Sequence, residues 1–319
     1  MGISDKLKQK IEADLGLNLP FVKGQNKTIS NCWHFTTDGN AVDEMFADEE
    51  DFVRGMNRIY FVVKDYEIAI LAFCLMDTHV HFVLYGEFVQ CNEFMHEYVR
   101  RTSQYLSWKY GEKSKLKDVP IHFQKIDTDT YLKTAICYVI KNPPVAGVPF
   151  TAYDYPWSSG PLLFRKNGYW TLQNEIDSSF ETREISSSAL KLEMKTHQIK
   201  GVKVRVKDDL IFPGEYVEYE LVEQIFRTHR SFNFFMCVSK ESDIESREGE
   251  ISRLSIPMSE MRGHKAQMCL QMFGCKSVKN LNTSQRLQLA RRLKSKYNSS
   301  IKQILRLCGL VYEECKDKV

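Results

Sequence analysis

The spacing of apolar residues changes period several times along the chain, and each change marks an element. Around residues 28–37, Ile29, Cys32, Trp33, His34 and Phe35 read as a strand that ends at Thr37-Asp38-Gly39-Asn40. Phe52, Met56, Ile59 and Val63 then recur at near-helical spacing, with Asp48, Glu49, Glu50 or Asp51 at the N-terminal end, where negative charge is favourable. Residues 68–76 are an almost continuous apolar run, short enough for a buried strand. A tight turn at Asp77-Thr78 makes a hairpin with the next strand, 79–85. In that strand side chains alternate, so His79, His81 and Val83 share one face and Val80, Phe82 and Leu84 the other. Residues 90–110 predict a second helix on Phe94, Tyr98, Tyr105 and Trp108. Residues 128–142 predict a third, capped by Thr128 or Asp129, with a core stripe of Leu132, Ala135, Ile136, Val139 and Ile140 and a stop at Pro143-Pro144.

Beyond these elements the pattern loosens. Residues 1–24 form a short leader with helical spacing at Leu7, Ile11 and Leu15, and 153–160 is rich in turns and closes the first unit. Residues 176–200, rich in Ser, Glu, Thr and Lys, read as an extended connection. From about 205 the pattern is helical throughout, with helices expected at 216–226, 257–273 and 283–296, the last capped by Thr283 or Ser284. A turn at Tyr297-Asn298 and a short helix ending at Gly309 follow. Helix, turn and short helix with Ile301, Ile304 and Leu305 inward is the shape of a helix-turn-helix near 283–309. The expected domains are therefore 1–170, a linker at 171–204, and a helical DNA-binding region at 205–319.

Charge changes this picture locally. The net charge of +3 says little, but residues 276–312 hold nine Lys or Arg and no Asp or Glu, an electrostatic footprint for nucleic acid. Arg291, Arg292, Lys294, Lys296, Lys302 and Arg306 are its candidate DNA contacts. On the 90–110 helix, Arg100, Arg101 and Lys109 lie among aromatics, and Lys125 follows. Such interleaving suits a single-strand groove equally well as an ordinary solvated face. Nine scattered cysteines without a C-x-x-C pair argue against a disulfide framework or zinc ribbon and for a reducing compartment. No signal-peptide pattern opens the chain and no apolar run approaches the ~18 residues that span a bilayer, so a cytoplasmic protein without membrane contact is expected.

The candidate chemistry gathers on two segments. Paired imidazoles on a rigid strand are suited to a divalent ion, although His-x-His alone is more often two ordinary strand histidines. Tyr138 and Asn142 are neighbours at i and i+4 on the third helix. Should that helix pack beside the His79/His81 strand, two nitrogens and an amide oxygen suit Mg²⁺ or Mn²⁺ completed by phosphate and water. Tyr138 is then placed as a nucleophile on a phosphodiester, whereas without the histidines it reads as a core tyrosine.

Four blocks extend this. Residues 72–82 (Ala-Phe-Cys-Leu-Met-Asp-Thr-His-Val-His-Phe), residues 138–143 (Tyr-Val-Ile-Lys-Asn-Pro), residues 155–159 (Tyr-Pro-Trp-Ser-Ser) and the order of elements from about 28 to 165 together resemble the single-tyrosine HUH transposases of the insertion-sequence-200 type, in particular the REP-associated tyrosine transposases. The resemblance covers about half the chain. It implies an α+β, ferredoxin-like antiparallel sheet with helices, followed here by the all-α helix-turn-helix region. It also implies cleavage and rejoining of single-stranded DNA at a hairpin or inverted repeat through a 5′-phosphotyrosine. His79, His81 and Asn142 carry over as ligands of Mg²⁺ or Mn²⁺ and Tyr138 as nucleophile, completed within one chain or across a homodimer. The chain departs from the family pattern at Asp77-Thr78, where Pro-Asn is usual, and at Pro144-Val145-Ala146-Gly147. The alternative is a catalytically silent hairpin-binding protein derived from a transposase.

Overall fold

The computed structural model describes residues 3–19, 26–39, 41, 44–111, 116, 119–164, 179–184, 203–239, 258–275, 277–297 and 301–318. The chain divides into two compact units, one of residues 1–140 with 152–237, the other of 141–151 with 238–319.

The first unit is built on a four-stranded sheet. Its strands are β1 (Thr28–Thr37), β2 (Ala69–Leu75), β3 (Val80–Tyr85) and β4 (Ile121–Thr128), ordered β2-β3-β1-β4 with every neighbour antiparallel. Helix α1 (Asp5–Asp14) precedes it. Helix α2 (Glu49–Val63) links β1 to β2, and α3 (Phe88–Tyr110) links β3 to β4. This β-α-β-β-α-β order with β3 between β1 and β2 is the ferredoxin-like topology, in agreement with the expected antiparallel sheet. Asp48 caps α2, its side chain accepting from the Asp51 amide at 2.9 Å. Gly111, at φ +68°, ends α3 in the left-handed conformation that glycine adopts without cost.

The two faces of the sheet differ. Phe35, Phe73, Phe82 and Leu84 lie on the face covered by α2 and α3, in one cluster with Met56, Phe94 and Tyr98. The leader pattern is part of this unit: Leu7 and Ile11 are buried, and Asp14, the last residue of α1, accepts from the Tyr85 hydroxyl at 2.6 Å. Strand β4 had no counterpart in the sequence reading. It lies at the edge and is mostly exposed, so solvent blurs its alternation.

The opposite edge is covered. Along β2, the Leu75 amide donates to Trp157 O at 2.9 Å and the Ser159 amide to Phe73 O at 3.0 Å, while the Glu218 amide donates to Ile70 O at 3.0 Å. The turn-rich 153–160 segment thus continues the ladder beyond β2, and Trp157 stacks on Phe52 at 5.1 Å.

Helix α4 (Asp129–Val145) follows β4. Its expected stripe, Leu132, Ala135, Ile136, Val139 and Ile140, is buried. The expected stop at Pro143-Pro144 is not where it ends. Both prolines sit in the last turn, and the helix closes on Gly147 at φ +78°. There the Val148 amide donates to Pro143 O at 2.9 Å and the Gly147 amide to Pro144 O at 3.1 Å, the paired bonds of a Schellman cap.

The region from 205 is not helical throughout. Strands β5 (Glu181–Glu184), β6 (Lys203–Lys207) and β7 (Leu210–Ile211) form a small antiparallel sheet, followed by α5 (Tyr219–Phe226) and α6 (His229–Val238). Asn57 of α2 holds the β6–β7 turn, donating through Nδ2 to Asp209 O at 2.7 Å and accepting the Ile211 amide at 2.8 Å. These contacts carry the first unit to residue 237, past the boundary expected at 204/205. Most of the expected 171–204 linker lies outside the described residues, and its described parts, 181–184 and 203–204, are in strands.

The second unit holds α7 (Met258–Phe273), α8 (Thr283–Tyr297), α9 (Ile301–Leu307) and α10 (Tyr312–Cys315) around Leu289, Leu293, Ile304 and Leu305. The cap of α8 is Asn282, not Thr283 or Ser284. Asn282 Oδ1 accepts the Gln285 amide at 2.9 Å and Gln285 Oε1 accepts the Asn282 amide at 3.0 Å, a reciprocal capping box. Gly309, at φ +61°, follows α9 as expected. Arg286 donates to Leu281 O, Lys279 O and Gly309 O and so ties these segments together.

Candidate active site

The sheet face opposite α2 and α3 carries the site. Register places Thr36 opposite His81 and His34 opposite Val83, so His34 and His81 are diagonal neighbours on this face. Their rings lie in nearly parallel planes, 10° apart with centroids at 5.3 Å, and His34 Nε2 is 3.2 Å from His81 Nδ1. His79 stands on the other side of His81 at 4.8 Å between centroids. Its Nδ1 is 2.9 Å from Thr78 Oγ1. Gly39, in the turn after β1, passes so close that a Cβ there would lie 2.9 Å from the same nitrogen. All three imidazoles are buried, and burial pushes His34 down to about 4, which keeps it neutral at physiological pH.

Helix α4 brings Tyr138 onto this group. The half-buried phenol ring meets His34 and His81 edge-on at 5.7 Å each, with interplanar angles of 85° and 86°. Tyr138 therefore meets His81, which in turn meets His79, with α4 on the histidine face. Asn142 falls one turn further along α4, in the 141–151 segment that belongs to the second unit. The residue missed by sequence reasoning is His34. Its signal was a lone histidine in the apolar strand Cys32-Trp33-His34-Phe35, but only the β1–β3 register shows which residue it meets.

The donor set fits a divalent cation in one respect that the geometry makes specific. The Nδ1 atoms of His79 and His81 each face a neighbouring polar atom, so a cation would be met through the Nε2 side of each ring. Among the described residues, no three His, Cys, Asp or Glu side chains are placed to hold a metal by themselves. The two imidazoles could hold a cation only with oxygen donors beside them.

No protein-family model matches this chain, and no curated protein does. The chain is similar to a solved structure described as a REP-associated tyrosine transposase bound to a REP hairpin, at 15% identity and a TM-score of 0.33, over 47% of this chain and 88% of that one.

The basic candidates separate into two groups. Arg100 makes a two-pronged bond to Glu97 at 2.6 Å, and Arg101 reaches Glu97 at 2.5 Å and Asp65 at 3.1 Å. Lys109 lies 2.8 Å from Asp48, 2.8 Å from Asp51 and 3.2 Å from Glu50. These three cations are paired with carboxylates of the same unit, Arg100 at the surface and Arg101 and Lys109 partly buried. The pairing holds Glu97 and Asp48 below the usual carboxylate range, through the Arg100 and Lys109 hydrogen bonds respectively. Lys125 is exposed on β4, 6.0 Å above the Trp33 ring. In the second unit Arg291, Arg292 and Arg306 are exposed and Lys294 is half-buried, with Arg291 donating to Lys318 O at 2.7 Å. The side chains of Lys296 and Lys302 lie outside the described residues. No helix among the described residues is long and apolar enough to cross a membrane.

Proposed function

We propose that the chain is a single-stranded DNA endonuclease and strand transferase of the HUH type, with Tyr138 as nucleophile. The observation that carries this reading is the edge-on seating of the Tyr138 ring against His34 and His81 on the sheet face opposite α2 and α3. A core tyrosine has no need of two buried imidazoles against its ring. His79 and His81 would hold Mg²⁺ or Mn²⁺ through Nε2, and Asn142 is the third donor that helical spacing supplies. When bound, such an ion neutralises phosphate charge and favours ionisation of a nearby hydroxyl. The Tyr138 oxygen attacks phosphorus in line and the 3′-oxygen leaves, giving a 5′-phosphotyrosine. Because one phosphodiester is exchanged for another, a free 3′-hydroxyl reverses the step, which favours rejoining over hydrolysis. The rings of His34 and His81 and the buried floor of the site keep Tyr138 oriented while the strand is held.

The second unit supplies affinity in this reading. Its exposed arginines, on a stretch without carboxylates, meet the phosphates of a hairpin or inverted repeat. Single-stranded hairpins incubated with Mn²⁺ and the full chain test it. A covalent protein–DNA adduct that disappears in Tyr138→Phe supports the enzyme. Hairpin binding without adduct over a broad panel of inverted repeats replaces it with the silent DNA-binding reading, and cleavage that survives Tyr138→Phe replaces it with a water-using hydrolase.

A further inference from the structure

His34 is not a ligand in the mechanism above, yet its Nε2 lies 3.2 Å from Nδ1 of one of the ligands. We propose that His34 is a positioning residue: its Nε2 accepts the Nδ1 proton of His81, which fixes the His81 tautomer and leaves Nε2 of His81 as a lone pair for a divalent cation. The cation half of this inference rests on the proposed metal site; the tautomer half does not.

The argument starts from proton count. A neutral imidazole carries one proton on two nitrogens, so the hydrogen bond at one decides what the other can do. Across the 3.2 Å between His34 Nε2 and His81 Nδ1 there is room for one proton, held by one ring or the other. Held by His34, it leaves His81 protonated at Nε2 and unable to bind a cation there. Held by His81, it makes Nε2 a ligand. An isolated histidine side chain favours the Nε2–H form, so His81 needs an acceptor at Nδ1 to adopt the useful one.

The fold makes that acceptor dependable. The β1–β3 register sets the two residues as diagonal neighbours on one face, and both are buried, 5% and 4% exposed, so water competes poorly for the bond. Tyr138 meets both rings edge-on and limits their rotation. His79 is treated in the same way by different atoms, since Thr78 Oγ1 occupies its Nδ1 and Gly39 closes over that side. Metal-binding histidines almost always have the second nitrogen engaged by a neighbour, and here both do.

The test uses the full chain labelled with ¹⁵N-histidine, without added metal. Long-range proton–nitrogen correlation spectra, assigned with a His81→Gln variant, should show His81 as the Nδ1–H tautomer. In His34→Phe, which fills the space without an acceptor, His81 should revert to Nε2–H. In His34→Gln, whose Oε1 can accept the same proton, it should stay Nδ1–H. Mn²⁺ titration followed by the resonance of the free ion should then show affinity reduced by about 10- to 100-fold in His34→Phe. His34→Gln should stay close to the wild type, and His81→Ala should abolish binding. Wild-type His81 in the Nε2–H form overturns the proposal. So does unchanged Mn²⁺ affinity in His34→Phe when His81→Ala has lost it. An Nδ1–H tautomer in a wild-type protein that takes up no Mn²⁺ supports the tautomer half, and overturns the cation half together with the metal site itself.

Discussion

Replacing Lys109 by Met separates two roles that look alike in a sequence, phosphate contact and internal pairing. The ammonium lies 2.8 Å from Asp51, which is wholly buried, and also bonds Asp48 and Glu50, whose side chains are about half exposed at 51% and 55%. Methionine keeps the stem and removes the charge. Leaving a buried ion unpaired costs about 3–5 kcal/mol. Asp51 keeps three neutral donors, the Ala47 amide at 3.0 Å, the Tyr110 hydroxyl at 2.8 Å and the Tyr105 hydroxyl at 3.2 Å, which offset part of that loss. Asp48 and Glu50 regain water, at about 0–1 kcal/mol each. The expected destabilisation is therefore roughly 2–3 kcal/mol. Urea unfolding followed by tryptophan fluorescence reads this directly, because Trp33, Trp108 and Trp157 fall in the first unit. Hairpin affinity measured over a salt series should keep its slope. An unchanged unfolding midpoint with a slope lowered by about one phosphate contact would refute the internal network and return Lys109 to the DNA.

The same network gives a pH dependence. Asp48 and Glu97 have carboxyls depressed by Lys109 and Arg100, so their contribution is present above the ordinary carboxylate range and is lost as pH falls below about 4. The acid limb of stability should flatten in Lys109→Met, read from urea midpoints between pH 2 and 6 as a series of roughly one-unit steps. In the β6–β7 hairpin, Asp208 and Asp209 both have positive φ, +47° and +62°, a turn that suits Asn-Gly. Asp209→Gly should raise first-unit stability by roughly 0.5–1 kcal/mol, since it relieves the left-handed strain and keeps the carbonyl that Asn57 uses. Gly39→Ala places a methyl 2.9 Å from His79 Nδ1 and 3.1 Å from Thr78 Oγ1. It should weaken Mn²⁺ binding by about tenfold while shifting the melting midpoint little, as read by titration and calorimetry on the same preparation.

What could be read from residues alone follows from how local each cause is. The alternation through Val80-His81-Phe82-Val83-Leu84 decided the faces of β3, because one face meets hydrocarbon and the other the site. The α4 stripe was equally plain. By contrast, β4 hid because an edge strand leaves most of its positions in water. The end of α4 was misplaced because prolines in the last turn of a helix do not end it when a glycine three or four residues on can close the cap. The β6–β7 hairpin turns on two aspartates at positive φ, with no glycine to mark it. Glu97 lies three and four residues before Arg100 and Arg101, so the pairing that occupies both arginines was visible as helical spacing. The partners of Lys109 lie about 60 residues away and were not. His34 belongs with this last group, since its meaning depends on a strand that follows more than 40 residues later.

The two rims of the four-stranded sheet are unlike, and this limits how copies of the chain can associate through it. On the β2 side the backbone groups are spoken for at both ends by 157–159 and 217–218, whereas on the β4 side no further strand is paired among the described residues. Joining of two molecules through this sheet must then use the β4 rim of each, related by a twofold axis. Once that pair has formed, both outward rims of the joined sheet are of the covered kind. Growth through this sheet therefore stops at two.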